Sequence, residues 1–278
     1  MTTEEARGRG VLPGFGLSLG FTLFYLGLVI LIPLSTVFLK TAQLSPAEIW
    51  AKVSAPRTLA AFRLSFGASL AAGVLNTIFG VLLAWVLERY RFPGRRLVDG
   101  LVDLPFALPT AVAGIALATV YSAKGWVGRF LEPAGIHVAY TPLGVIVALT
   151  FVGLPFVVRT VQPVLRQLDP ATEEAAASLG AGRPTILGRV LLPELLPAAV
   201  TGFVLAFARA LGEYGSVIFI AGNLPMKSEI TPLLIMIQLE QFDYAGATAI
   251  AAVFLVVSFA LLLTINLLSR RRQRRYRG

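Results

Sequence analysis

The sequence predicts an all-α polytopic membrane protein, and its composition and the length of its apolar runs carry that prediction. Hydrophobic residues make up 56% of the chain and charged residues only 14%, and the mean hydropathy is +0.77. Soluble domains carry about a quarter charged residues. Several apolar runs exceed the roughly 20 residues that cross a bilayer as a helix. The chain is therefore expected to form a single transmembrane domain, residues 1–278, embedded in a lipid bilayer.

Six membrane-spanning helices are predicted along the chain. They run Leu17–Leu39, Leu64–Leu87, Leu101–Tyr121, Tyr140–Val158, Leu195–Ala221 and Ala245–Leu268. The third and fourth contain Pro105, Pro109 and Pro155. Kinks are expected there, because proline removes a backbone donor and clashes with the preceding turn. After the fifth span, the loop Gly222–Asp243 is long enough for a short amphipathic helix.

The basic residues predict the orientation of these helices, because short cytoplasmic loops carry an excess of lysine and arginine. With the N-terminus inside, sixteen arginines fall on the cytoplasmic side: Arg7, Arg9, Arg89, Arg91, Arg95, Arg96, Arg159, Arg166, Arg183, Arg189 and the six arginines of the tail 270–278. Six basic residues fall on the other side: Lys40, Lys52, Arg57, Lys124, Arg129 and Lys227. Arg63 joins this second group if the second span starts late.

Both termini are therefore predicted to be cytoplasmic. The basic tail 270–278 directly follows the last apolar run, where it is expected to hold the chain at the anionic inner leaflet. The net charge of +9 is thus explained by membrane topology, and no nucleic-acid partner is expected.

Residue types that the sequence lacks exclude several kinds of chemistry. The chain has no cysteine and a single histidine, His137, which excludes disulfides, thiol catalysis and a metal site built from several histidines. It has no G-x-x-x-x-G-K-[ST] loop, so it is not expected to hydrolyse ATP itself. A non-catalytic protein that binds neither a metal nor a cofactor is expected.

A polar stretch, residues 169–193, interrupts the apolar sequence between the fourth and fifth spans. Asp169 and Pro170 predict a helix start, with the aspartate as N-cap and the proline at the first helical position. Small residues sustain a helix of about ten residues, and Gly180 predicts its left-handed C-terminal stop. A second helix is expected to follow and to end or bend near Pro193. The residues alone leave two interpretations open, an ordinary connector or a docking element for a protein in water.

This stretch matches the EAA motif of ABC importer permeases. Glu174-Ala175-Ala176 is followed after three residues by Gly180 and, after nine more, by Val190, one residue and Leu192-Pro193. Val190 stands where the pattern usually has isoleucine. The resemblance implies a coupling helix that sits in a groove on a cytoplasmic ATPase. It assigns this coupling to Glu174, Ala175, Ala176, Gly180, Leu192 and Pro193.

Further blocks are similar to the CysT-type permeases of sulfate and thiosulfate importers. Residues 208–223 read ARALGEYGSVIFIAGN, and residues 225–230 read PMKSEI. Residues 105–114 of the third span, PFALPTAVAG, resemble both this group and the molybdate permeases. Molybdate permeases carry a less matching form of the first block. The similarity covers the chain from the second span onward.

The resemblance implies a fold, a set of partners and a location. The fold is expected to be the MetI-like fold of type I ABC importer permeases, in a bacterial cytoplasmic membrane. The implied partners are two cytoplasmic ATPase subunits that use ATP and Mg, a second, related permease in a heterodimer rather than a homodimer, and an external sulfate-binding protein. The chain is then expected to translocate sulfate and also thiosulfate. A permease for molybdate or tungstate is the alternative.

Polar residues within the spans are candidates for the translocation pathway or its gate. Arg209 and Glu213 lie four residues apart near the middle of the predicted fifth span, and so on one helix face. They either neutralise each other and join neighbouring helices, or line the pathway together with Tyr214. Asn76 and Thr77 in the second span are expected either to hydrogen-bond between helices or to line the path.

Other residues of the spans have structural roles in this interpretation. Asp103 is expected to be solvated at the cytoplasmic end of the third span. Four glycines are expected to let helices approach closely: Gly73, Gly80, Gly114 and Gly153.

Two other classes of membrane protein fit the sequence less well. A secondary transporter usually carries more carboxylates within its spans for ion coupling, and it has no need of the segment 169–193. An intramembrane enzyme needs a catalytic constellation, and the spans contain no histidine pair, no cysteine and no aspartate dyad.

Overall fold

The computed structural model describes residues 14–276, all of them in helices and connecting loops. The side chains of residue 170 and of residues 270–276 lie outside this description, as do Arg7, Arg9 and Arg277 of the topology prediction. The described part of the chain forms fifteen α-helices: α1 Phe15–Leu26, α2 Ile32–Thr41, α3 Pro46–Val53, α4 Pro56–Arg89, α5 Arg95–Val102, α6 Leu104–Ala107, α7 Thr110–Tyr121, α8 Gly128–Leu131, α9 Pro142–Gln167, α10 Pro170–Ser178, α11 Arg183–Ile186, α12 Leu192–Leu211, α13 Val217–Ile220, α14 Thr231–Glu240 and α15 Tyr244–Tyr276.

Five helical stretches are long and apolar enough to cross a membrane. They are Phe15–Thr41, Pro56–Arg89, Pro142–Gln167, Arg183–Leu211 and Tyr244–Ser269. They confirm the first, second, fourth and sixth predicted spans, and the fifth as far as Leu211, although the second and fourth helices are longer than predicted. A short helix does form in the following loop, α14, but its apolar residues are not confined to one face, so the predicted amphipathic character is wrong.

The third predicted span, Leu101–Tyr121, is not one kinked helix but three pieces, α5, α6 and α7. The chain breaks at Asp103 and again at Leu108 and Pro109. Leu108 is extended, with φ −84° and ψ 135°, as expected for a residue whose backbone clashes with the ring of a following proline. Only the last piece, α7 with 12 residues, is a continuous apolar helix of appreciable length.

The fifth predicted span, Leu195–Ala221, is also interrupted. Its helix α12 ends at Leu211, and the chain runs irregularly through residues 212–216 before the short helix α13. The prediction of a continuous helix to Ala221 is therefore wrong. The residues on both sides of the break are apolar, so hydropathy does not register it.

Near Pro193 an end or a bend of the helix was predicted, and the helix does not end there, because it continues through this proline. A π-helical turn, Leu187–Leu191, precedes it, and the Leu192 N–H donates to the Leu187 carbonyl five residues back. The same device precedes Pro33, where the Ile32 N–H donates to Gly27 across the π turn Gly27–Leu31. The wider turn accommodates a proline ring that would clash with the carbonyl four residues before it.

Helices α4, α9 and α12 form the core and approach each other through small residues. A Cβ atom at Gly80 would lie 2.8 Å from the side chain of Val157, and one at Gly202 would lie 2.8 Å from the Cα atom of Val157. A Cβ atom at Gly73 would lie 2.9 Å from the ring of Phe203. Gly114 and Gly153 are in close contact as well, so the packing role predicted for all four glycines is confirmed.

Ion pairs between helices define the two ends of the bundle. At one end, here called the insert end, Arg166 of α9 binds Glu88 of α4 at 2.7 Å, and α10 lies beside them. At the opposite end, Lys52 pairs with Asp243, and Arg57 binds Glu229 at 2.7 Å. These contacts place the C-terminal ends of α4 and α9 together with α10, and they place α3, α14 and the start of α15 at the other end.

The contact between Gly80 and Val157 predicts the effect of adding a single methyl group. Gly80→Ala should lower the free energy of unfolding by about 1–3 kcal/mol, because the new Cβ atom forces α4 and α9 apart. The matched control is Gly67→Ala on the same helix, where a Cβ atom meets nothing within 4 Å. That change should be neutral or raise stability by up to about 1 kcal/mol. Unfolding in mixed micelles measures both, and equal effects would contradict the packing described here.

Candidate functional site

The predicted docking segment is a short exposed helix, α10, with a turn after it at the insert end. The helix begins at Pro170, and the carboxylate of Asp169 accepts a hydrogen bond from the Ala171 N–H at 2.9 Å. The predicted N-cap is therefore confirmed. An aspartate is favoured at this position because the first N–H groups of a helix have no partner within the helix.

The end of α10 at Gly180 is also as predicted. The Gly180 N–H donates to the Ala177 carbonyl at 2.9 Å, and the Ala181 N–H donates to the Ala176 carbonyl at 3.0 Å. These two bonds are those of a Schellman motif. Gly180 has φ +84°, and a Cβ atom there would meet nothing within 4 Å. The left-handed backbone, rather than a lack of space, is what favours glycine.

The side chains of α10 divide between the body of the protein and the solvent. Glu173 is turned inward and lies 2.6 Å from the guanidinium of Arg89, at the end of α4. Glu174 and Ala175 are exposed, and Ala176 is half-buried. Leu179, just after the helix, is 89% exposed. The outward side of α10 and its turn therefore consists of Glu174, small residues and one leucine.

The remaining residues of the predicted motif, Leu192 and Pro193, lie two helical segments later. They occupy the first turn of α12, after the π turn, and both are exposed. The structure thus brings Glu174 and Gly180 together on one helix and turn, and it places Leu192 and Pro193 at the start of the following long helix. Their role in coupling to an ATPase stays a prediction.

Arg159 of α9 holds the first piece of the broken third span. Its guanidinium donates to both carboxylate oxygens of Asp103, at 2.8 and 2.5 Å, and to the Asp99 carboxylate at 2.7 Å. It also donates to the side-chain oxygen of Gln162 at 2.6 Å. Asp103 is therefore not simply solvated, as the sequence predicted, because this fork of two bonds fixes it to α9. Burial alone raises the pKa of Asp99, but hydrogen bonds from Arg159 and Gln162 lower it by more than burial raises it. The pKa of Asp99 is therefore below its usual value.

Sequence reasoning missed this ionic contact. Arg159 was interpreted only as a marker of topology, yet it joins aspartates that lie 56 and 60 residues earlier in the chain. Nothing in the local spacing indicates such a pairing. The weak signal available was that both aspartates and the arginine stand close to the ends of apolar runs on the same predicted side of the membrane.

The pair Arg209 and Glu213 is formed, but not on one continuous helix. Arg209 lies in the last turn of α12, and Glu213 lies two residues beyond its end. Nη1 of Arg209 is 2.6 Å from Oε2 of Glu213. The other oxygen, Oε1, accepts hydrogen bonds from the Ser216 N–H and Oγ, both at 2.8 Å. The side chain of Glu213 is only 2% exposed, whereas that of Arg209 is 34% exposed.

The other two pathway candidates are less accessible. Tyr214 is half-buried and packs against the core cluster formed by α4, α9 and α13. Asn76 is 1% exposed, and its amide lies between α4 and α9, against Gly153. Among the described residues its amide atoms have no hydrogen-bond partner, and Thr77 bonds to Gly73 of its own helix. The expected interhelical hydrogen bonds of Asn76 and Thr77 are therefore not formed in the described part of the chain.

These features define a class of protein: a polytopic helical membrane protein that presents one short, exposed helix at one end of its bundle. Residues 76–275 match the family of the binding-protein-dependent transport system inner membrane component. The match covers more than half of the 278 residues, and the chain belongs to this family of ABC importer permeases.

Curated relatives cover nearly the whole chain. The chain is 52% identical to the sulfate transport system permease protein CysT of Salmonella typhimurium, over 97% of this chain and 98% of the relative. It is 51% identical to the protein of the same name from Escherichia coli, with the same coverage. It is 52% identical to that of Synechococcus elongatus, over 89% of each chain.

Solved structures share the fold at low sequence identity. A bacterial ABC transporter involved in the import of the acidic polysaccharide alginate has a TM-score of 0.76 and 19% identity, over 92% of this chain and 94% of that chain. The MetNI methionine ABC transporter in an inward-facing conformation has a TM-score of 0.58 and 17% identity, over 82% of this chain and 99% of that chain. The predicted MetI-like permease fold is confirmed.

The geometry of Arg209 and Glu213 predicts a favourable coupling between them. In a double-mutant cycle, Arg209→Gln and Glu213→Gln should each destabilise the protein. The double variant should lose less stability than the sum of the two single losses, with an interaction free energy of about 1–3 kcal/mol. Glutamine is chosen at position 213 because it retains an acceptor for Ser216. Unfolding free energies in mixed micelles give the four corners of the cycle. Additive effects would mean that the two residues act independently.

Proposed function

We propose that this chain is the membrane-spanning permease subunit of an ATP-driven importer of sulfate, with thiosulfate as a second substrate. The observation that carries the proposal is the identity of 52%, over 97% of this chain, with a permease named for sulfate transport. The match extends over 270 of the 278 residues, so it includes all the spans and the break in the fifth span.

The proposed partners follow from the two ends of the bundle. Two cytoplasmic ATPase subunits, which use ATP and Mg, supply the energy, and one of them docks on the exposed face of α10. A second, related permease completes the pathway as a heterodimer. An external sulfate-binding protein delivers the anion at the opposite end. The alginate transporter with the same fold has been solved in complex with an alginate-bound periplasmic protein, which supports such a partner.

The proposed orientation places the insert end and both termini in the cytoplasm. The distribution of basic residues supports this orientation, because short cytoplasmic loops carry an excess of them. Ten arginines between Arg7 and Arg189 and the basic tail fall on the cytoplasmic side, whereas six basic residues fall on the other side. The exposure of Glu174 and Leu179 supports it further, since a docking surface for a cytoplasmic ATPase has to lie in water. The membrane is then the bacterial cytoplasmic membrane.

Arg209 is the residue proposed to meet the anion on its way through the membrane. A charged side chain at the centre of a bilayer costs about 2.5–3.5 kcal/mol on insertion scales, so a charge close to apolar spans normally faces protein or water. Its fork of donors suits a tetrahedral oxyanion. Glu213 is buried behind it and neutralises much of its charge. The pathway on this subunit therefore offers a weak, transient contact, which suits a transporter that is loaded by a separate binding protein.

Coupling requires that the transporter's states bind the ATPase differently, since a partner shifts a conformational equilibrium only through its differential affinity. Within this chain, α10 is the element proposed to carry that difference. Its short side chains allow close approach, Glu174 offers a charge to a basic group, and Gly180 fixes the direction in which the chain leaves the helix.

Reversing the charge at Glu174 should weaken docking of the ATPase. Glu174→Lys should reduce the amount of ATPase that co-purifies with the permease by about tenfold or more, because like charges at an interface cost several kcal/mol. Insertion and folding should be unchanged, since this side chain is exposed. Glu240→Lys, an equally exposed glutamate at the opposite end, is the control. Full ATPase retention and full transport in the Glu174 variant would refute the coupling role.

The substrate is tested by transport in vesicles that hold this chain with its ATPase, second permease and binding protein. We expect ATP-dependent uptake of labelled sulfate that excess molybdate barely reduces and that excess thiosulfate competes with. ATP-driven uptake of molybdate alone would keep the fold and change the substrate to the molybdate or tungstate alternative. Sulfate uptake that does not depend on ATP would refute the proposal of an ABC importer.

A further inference from the structure

The two neighbouring glutamates of α10 point to different partners. Glu174 is exposed, whereas Glu173 pairs with Arg89 of α4. Oε1 of Glu173 and Nη2 of Arg89 are 2.6 Å apart, and both atoms are shielded from solvent. Glu173 does not belong to the EAA motif, and its role is therefore a separate question from that of Glu174.

The Glu173–Arg89 pair is the one ion pair or side-chain hydrogen bond that joins α10 to another helix within the described part of the chain. The other side-chain bonds of α10 are local, from the Ala171 N–H to Asp169 and from Ser178 to the Glu174 carbonyl. Apart from this pair, α10 is attached through its turn to α11 and its link to α9. The turn to α11 is exposed except for the half-buried Ala181, whereas in the link to α9 only Asp169 is exposed and Leu168 packs against the core cluster.

Beyond Arg89, the contact continues into the core. The guanidinium of Arg89 lies over the ring of Trp85, 5.4 Å from its centroid. Trp85 in turn packs against the buried cluster at the insert end, which includes Leu87 of α4, Val161 of α9 and Leu195 of α12. A continuous line of contacts therefore runs from α10 through Arg89 and Trp85 to the three helices that form the core.

We infer that the Glu173–Arg89 ion pair transmits the movement of α10 to α4, so that Glu174 receives the ATPase while Glu173 passes its displacement to the transmembrane core. The inference rests on the proposed function. A partly buried ion pair is suited to this role, because separating its two facing charged atoms, which are shielded from water, leaves each of them without compensation. The pair therefore keeps α10 and α4 together when α10 is displaced.

A neighbouring ion pair provides the matched control. Arg166 of α9 binds Glu88, the residue next to Arg89, through two hydrogen bonds of 3.0 and 2.7 Å. This pair joins α9 to α4 at the same end of the bundle but does not touch α10. Arg166→Gln therefore removes an interhelical ion pair at the same level and leaves the proposed transmission path in place.

The experiment measures sulfate transported per ATP hydrolysed, and ATPase retained, in vesicles holding the complete complex. Arg89→Gln and Glu173→Gln should each lower the transport-to-hydrolysis ratio about five- to tenfold, the size expected for loss of one coupled pair, with the ATPase still bound. Arg166→Gln should leave the ratio near the wild-type value. The exchange variant, Arg89→Glu with Glu173→Arg, should recover most of the ratio.

The absence of cysteine from the sequence allows a second test that does not depend on charge. In the variant Arg89→Cys with Glu173→Cys, a short bis-maleimide should link α10 to α4 and restore the ratio that the unlinked variant has lost. Restoration by a neutral link identifies mechanical connection, rather than charge at the ATPase surface, as the function of the pair.

Three outcomes would overturn the inference. They are a wild-type ratio in both glutamine variants, a failure of both the exchange and the cross-link to restore it, and a loss of ATPase retention in Glu173→Gln. The third would mean that Glu173 contacts the ATPase directly. If the wild-type complex itself shows no ATP-dependent sulfate uptake, the proposed function fails instead, and the two failures are thus distinguished.

Discussion

Close contact between α4, α9 and α12 is the constraint on which the rest of the structure depends. In a bilayer, lipid tails are as apolar as leucine, so no hydrophobic force gathers the helices, and van der Waals contact has to do so. That contact needs short side chains, and Val157 is held between Gly80 and Gly202 at distances that exclude any larger residue. The three helices consequently form one packed unit, and the remaining elements are placed by what they attach to on it.

Charged residues make several of these attachments, at the two ends of the bundle. At the opposite end, Lys52 and Arg57 tie α3 and α4 to the segments around α14. At the insert end, Arg159 fixes α5 to α9, and Arg166 fixes α9 to α4. Among the described residues, α10 is joined to the core by the single ion pair between Glu173 and Arg89 and by the packing of Leu168 just before the helix. A helix attached at so few points is able to shift as a unit, which a helix docked on a moving partner has to do.

The parts of this fold that the sequence predicted are those governed by neighbouring residues. The apolar runs located five long helices, and Asp169 and Gly180 marked both ends of α10, because capping is satisfied within one turn of chain. The Arg209–Glu213 pairing was also foreseeable from four-residue spacing. Long-range contacts could not be predicted in this way. The aspartates bound by Arg159 lie 56 and 60 residues earlier in the chain, and no local pattern indicates which arginine will pair with which carboxylate.

The breaks in the third and fifth spans escaped prediction for another reason. Hydropathy measures side chains, and those on both sides of a break are apolar, whereas a break concerns backbone groups that lose their partners. The presence of Pro105 and Pro109 indicated a distortion but not its extent. Nothing in the run from Leu195 to Ala221 except glycine and Glu213 indicated that its helix would end at Leu211.

The two breaks lie against each other, and this arrangement gives a physical reason for the buried glutamate Glu213. A Cβ atom at Gly215 would strike the hydroxyl of Thr110 at the start of α7, and one at Gly114 would strike the backbone of Ser216. Irregular backbone at membrane depth is tolerated only where protein or water surrounds it, and every freed N–H needs an acceptor. Glu213 is that acceptor for Ser216.

A buried carboxylate in this position needs compensation in turn, because an uncompensated charge in a medium of low dielectric constant is costly. Arg209 provides it from the last turn of α12, 2.6 Å away. The charge pair is thus a consequence of the broken helix rather than an independent feature. Its geometry also leaves the guanidinium a third exposed while the carboxylate is hidden. The same residues therefore repair the backbone of the break and compensate the charge that this repair introduces.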